Sequence, residues 1–131
     1  MPHQGKVYLG LFGHGFDPEQ LSIGVAPTKV MVEDSPRPKH SAWMYGTASL
    51  TAELLDVSSM ASQVVEALLP HEAALLAAKK AYDLDVVLQV VLTFSEREED
   101  PMPIIGFSPA VVSFLHRLGG DIDIDTYRAA S

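Results

Sequence analysis

From Asp85 to Phe94 the chain reads Asp-Val-Val-Leu-Gln-Val-Val-Leu-Thr-Phe, an apolar stretch rich in β-branched residues and broken only by Gln89 and Thr93. Such a run predicts a strand covered on at least one face and lying near the centre of a sheet. Every other element has to be arranged so that this strand is covered.

A chain of 131 residues with 47% apolar content is expected to form one domain over 1–131 with a real core. Its longest apolar runs fall far short of the roughly 20 residues needed to cross a bilayer, so no membrane span is expected. Met-Pro-His-Gln-Gly-Lys leads straight into a strand-like pattern without the charged-then-apolar layout of a secretion signal, and the cytoplasm is the expected compartment. Cysteine is absent, which excludes disulfides and thiolate chemistry. The net charge of −8 arises from Gly46 onward, where five bases face thirteen acids; before it, four bases balance four acids. That balance argues against nucleic-acid binding, which needs clustered Lys and Arg, and suits a basic protein partner.

In chain order, Val7 to Phe12 alternates as a strand, and Gly13-His14-Gly15 breaks it. Asp17 and Pro18 open a short helix to about Ile23, ended by Gly24. Lys29 to Glu33 predicts a second strand, Asp34 to His40 a proline-containing loop, and Ser41 to Thr47 a strand pairing back as an antiparallel hairpin. From Val57 the period becomes helical, with Asp56 or Ser58 as cap and Pro70 as break; a second helix runs from about His71 to Tyr82. Ser95 to Pro103 reads as a charged, mobile loop, Ile104 to Phe107 as a short strand, Pro109 to Leu118 as a helix stopped by Gly119 and Gly120, and Asp121 to Tyr127 as the last strand. Phe16-Asp17-Pro18 and Phe107-Ser108-Pro109 echo one another, suggesting two related strand-helix-strand units. The expected fold is α+β: a two-layer sandwich of a mostly antiparallel or mixed sheet with helices on one face, close to a doubled ferredoxin-like layout.

Two groups of residues are candidates for binding. Asp121, Asp123 and Asp125 share one face of the last strand, about 6.6–7 Å apart, too far for one hard cation unless the side chains lean together, but suited to a basic partner. Arg37, Lys39 and His40, followed by Trp43 and Tyr45, place basic groups beside aromatics, which suits an anion or a carboxylate terminus. His14 between two glycines is a further ligand or acid-base candidate. The five histidines show no zinc spacing, and neither a phosphate loop nor a nucleophile elbow is present, so no metal, cofactor or catalytic residue is assigned. Non-enzymatic protein binding, in the form of an immunity-type neutraliser of a basic partner, is the leading expectation. A small-ligand or enzymatic site near His14, Arg37, His40 and Trp43 is the second, and a structural homo-dimer the third.

The ordered set Leu11-Phe12-Gly13, Phe16-Asp17-Pro18, Gly24-Val25-Ala26-Pro27-Thr28, Ser41-Ala42-Trp43, paired helices, Phe107-Ser108-Pro109 and Asp123-Ile124-Asp125-Thr126-Tyr127 resembles the bacterial family called domain of unknown function 4279. The resemblance covers nearly the whole chain and departs from it at His14, where a more acidic turn is expected. It implies a small, stand-alone cytoplasmic protein with no established activity, so no catalytic residue can be carried over.

Overall fold

The computed structural model describes residues 2–32 and 40–129. Strand β1 (His3–His14) is the longest and the middle of the sheet. Its odd positions Val7, Leu9 and Leu11 are fully buried, while Lys6 and His14 on the even positions are exposed, as period-two geometry requires of a strand covered on one face. Six strands are present among the described residues: β1, β2 (Lys29–Val32), β3 (His40–Gly46), β4 (Leu50–Ala52), β5 (Asp85–Phe94) and β6 (Asp121–Arg128). The order is β2-β3-β1-β5-β6, with β4 pairing the N-terminal end of β1. All pairs are antiparallel except β5 with β6.

β5 occupies the stretch expected of it, one place from the centre. Its even residues Val86, Leu88, Val90 and Leu92 are buried, and the register Leu9↔Leu88 and Leu11↔Val86 sets them beside the odd residues of β1. On this face lie α1 (Val57–Leu68), α2 (Glu72–Tyr82) and α3 (Pro109–Leu118), whose apolar stripes, Met60, Val64, Leu75 and Phe114 among them, share one core with the strands. The fold is therefore α+β in two layers, a mixed sheet with its helices on one side. Each helix starts and stops where local chemistry dictates. The Asp56 carboxylate accepts the Ser59 amide at 3.0 Å to open α1, and Ser108 Oγ accepts the Val111 amide at 3.3 Å to open α3. α2 ends on Asp83 in the left-handed region, φ 54°, a conformation Asp tolerates better than most residues.

Several elements differ from expectation. The helix expected from Pro18 to Ile23 is only a 3-10 turn, Pro18–Gln20. β2 pairs with β3 as a hairpin, but Glu33 and the loop Asp34 to Lys39 lie outside the described residues. The two strand-helix-strand units come out unequal: β5-α3-β6 joins neighbouring parallel strands, whereas β1 and β2 are separated by β3. Ile104 forms a parallel bridge to Asp56 at the start of α1 instead of a sheet strand. The loop after β5 is tied down at both ends of a buried imidazole: Ser95 N–H donates to His3 Nδ1 at 2.9 Å, and His3 Nε2 donates to the Pro101 carbonyl at 2.7 Å.

Candidate functional site

The sheet face opposite the helices is defined by strand register. Reading across it, one row runs Lys29, Met44, Gly10, Val87, Asp121; the next runs Tyr8, Gln89, Asp123; the next Lys6, Val91, Asp125. This face therefore carries cations toward β2 and β1, a tyrosine in the middle, and three carboxylates on β6. Its centre is kept low by Gly10, where a Cβ would overlap the Phe12 ring lying over it. Thr47, just past β3, continues the pairing with β1 by donating its amide to the Val7 carbonyl at 2.9 Å.

β6 owes its position to the two glycines before it. Gly119 takes the left-handed conformation, φ 64°, that closes α3, its amide donating to His116 O at 3.0 Å and that of Gly120 to Leu115 O at 2.8 Å. At Gly120 a Cβ would stand 3.2 Å from the Val86 carbonyl, so a bare backbone lets the chain enter beside β5. Every residue of β6 is exposed, and among the described residues it pairs only with β5, so its outer edge is open. The face toward the helices presents Ile122 and Ile124, 38% and 40% exposed, while Asp121, Asp123 and Asp125 occupy the other face.

Gln89, the polar interruption of the apolar strand, is buried at 8% exposure. Its amide donates to the Asp123 carbonyl and to Asp125 Oδ2, both at 3.2 Å, and so holds one carboxylate of β6 in place. Beside it, burial pushes the Tyr8 phenol above its ordinary value, and the negative charges of Asp125 and Asp123, with Tyr127, add to the shift.

The three aspartates thus share one exposed face, as expected. The second group is described only in part. Trp43 is 1% exposed and belongs to the core, and Tyr45 packs against that core from the same face. His14 is exposed at the end of β1 and is the register partner of His40. Arg37 and Lys39 lie outside the described residues. Sequence reasoning missed Tyr8, Lys6 and Lys29 as members of this face, because only register brings them together. Gln89 did carry a signal, a polar residue inside an otherwise apolar strand.

Among the described residues, no three His, Asp or Glu side chains are grouped to hold a metal ion, and no helix is long and apolar enough to cross a membrane. What the open face offers chemically is binding: charge of both signs, apolar surface and an unpaired strand edge. Comparison with curated proteins finds no match, and comparison with solved structures finds none. A family model described as domain of unknown function (DUF4279) matches residues 3–129, and the chain belongs to that family.

Proposed function

We infer that this chain is a non-enzymatic protein-binding module that takes a basic, extended segment of its partner against β6. The observation that carries the reading is a free eight-residue edge strand with Asp121, Asp123 and Asp125 on one face and exposed isoleucines on the other. An unpaired edge supplies main-chain donors and acceptors for strand addition, while alternating side chains supply specificity. The matching segment alternates Lys or Arg with apolar residues. As an immunity-type neutraliser acting in the cytoplasm, the module would cover the cationic surface that a nucleic-acid-cleaving toxin needs for phosphate contact.

A fluorescent eight-residue peptide alternating lysine and valine tests this by anisotropy, against a glutamate counterpart and an N-methylated lysine peptide that cannot extend a ladder. The lysine peptide is expected to bind in a salt-sensitive way and to protect β6 amides from hydrogen exchange. Opposite-charge cross-strand pairs each contribute roughly 0.2–1 kcal/mol. Changing Asp121, Asp123 and Asp125 to Asn should then weaken capture by between about threefold and a hundredfold. Equal binding of the triple variant, or of the N-methylated peptide, would refute the proposal.

A further inference from the structure

We propose that the basic end of the open sheet face is a second, separate binding site, for a small carboxylic acid with an apolar body. A groove of about 400 Å³ opens there, lined by Lys6, Tyr8, Thr28, Lys29, Met31 and Met44 among others. That volume lies within the range of small-molecule sites, which are mostly apolar with a few polar groups that fix orientation. Here the floor is two methionines and a tyrosine ring. Thioether side chains are unbranched and polarizable, so such a floor adapts to an aromatic or aliphatic body.

The rim supplies the polar groups. Lys6 Nζ stands 5.9 Å from the centroid of the Tyr8 ring, so its ammonium is held over the aromatic face. Lys29 begins β2 on the opposite side of the groove. Among the described residues neither lysine is paired with a carboxylate. In a chain of net charge −8, two exposed cations lining one groove are available to a bound anion. Of the acids on this face, Asp121, Asp123 and Asp125 are on β6, two strands from β1 and about 10 Å away at ordinary strand spacing, and Asp85 is at the end of β5 beside Phe12. The charges of Asp125 and Asp123 reach Tyr8, but both lysines line the groove itself and no residue of β6 does. The Tyr8 hydroxyl has no hydrogen-bond partner among the described residues. The phenol is protonated at neutral pH, so it can donate to a carboxylate. An apolar floor is wasted on a free phosphate ion, and the lysine pair lacks the planar fork of Arg that favours one.

Methionine-methyl carbon NMR reads this site directly, because Met31 and Met44 line it while Met60 is in the core and Met102 is exposed elsewhere. The probes are 4-phenylbutyrate, its neutral amide, and inorganic phosphate. Saturable shifts at Met31 and Met44, with Met60 and Met102 still, are expected for the acid. The amide should bind at least about tenfold more weakly, and Lys6→Gln with Lys29→Gln should bring the acid down to the amide's level. If the double change alters Trp43 emission, the single changes serve, each giving a partial loss. Equal affinity for acid and amide, equal competition by phosphate, or no shift at Met31 and Met44 would overturn the proposal. Capture of the lysine peptide by β6 should survive both lysine substitutions, so the two sites fail or stand separately.

Discussion

Tyr8 sits where the two signs of charge on the open face meet, and its titration reports that meeting. In the folded chain it keeps its proton at a pH where the unfolded chain, with an ordinary phenol near 10, has begun to lose it. The folded state then binds more protons, so the stability present below the ordinary value is lost as pH rises through the folded one. Replacing Asp123 and Asp125 by Asn removes two of the causes and should lower the Tyr8 pKa. The urea midpoint, followed from about pH 9 to about pH 11, should then fall less steeply in the variant than in the parent. An identical decline in both would mean that the two aspartates do not hold the phenol up. This coupling was not legible in the sequence, since Tyr8 and Asp123 are more than a hundred residues apart and meet only through Gln89. His3 was hidden for the same reason: its two partners, Ser95 and Pro101, come from a loop that composition alone marks as solvated.

At the scale of elements, α2 and α3 are joined by polar contacts that neither helix shows alone. Lys79 Nζ donates to the Leu118 carbonyl at 2.7 Å, closing the C-terminus of α3 from the neighbouring helix, and Arg117 Nη2 meets Glu72 Oε1 at 2.7 Å on the surface. Lys79 stands in the last turn of α2, where the dipole of its own helix favours a cation, yet its ammonium is spent on the end of α3. A charge-assisted hydrogen bond at a helix C-terminus contributes about 1–2 kcal/mol. Lys79→Ala should therefore lower the thermal midpoint measurably, while the exposed Lys80→Ala should stay within about 0.5 kcal/mol of the parent. Equal effects would assign both lysines to solvent. The helices themselves were legible, because apolar spacing and the caps Asp56, Ser108 and Gly119 are local signals. The elements that escaped are those with no local signal. β4 is three residues, Leu-Thr-Ala, that become a strand only because β1 extends far enough to pair with them. The apparent repeat failed because Asp-Pro capped a single turn that β3 then separated from its partner strand.

For the whole molecule, the placement of charge decides how a sheet whose β6 edge is unpaired among the described residues behaves toward copies of itself. Antiparallel pairing of β6 with a second β6, continuing the sheet, keeps the open faces on the same side. Residues opposite one another then share a face, and Asp121, Asp123 and Asp125 meet aspartates of the other copy. Like charges directly opposite are destabilising, and charged edges are a general guard against such pairing. The same row that repels a copy would attract the basic strand of the proposed partner, so on that reading one feature serves both ends. Light scattering across a concentration series is expected to give a monomer at low salt. Changing the three aspartates to Asn removes the repulsion while leaving the free edge and the exposed isoleucines, and this variant should dimerise as concentration rises. Near 1 M salt, where the Debye length falls to about 3 Å, the parent should move in the same direction. The peptide-capture comparison therefore belongs at concentrations below the onset of that association. If the parent dimerises at low salt and the Asn variant does not, the aspartates are part of a self-interface and the basic-partner reading gives way to a homo-dimer.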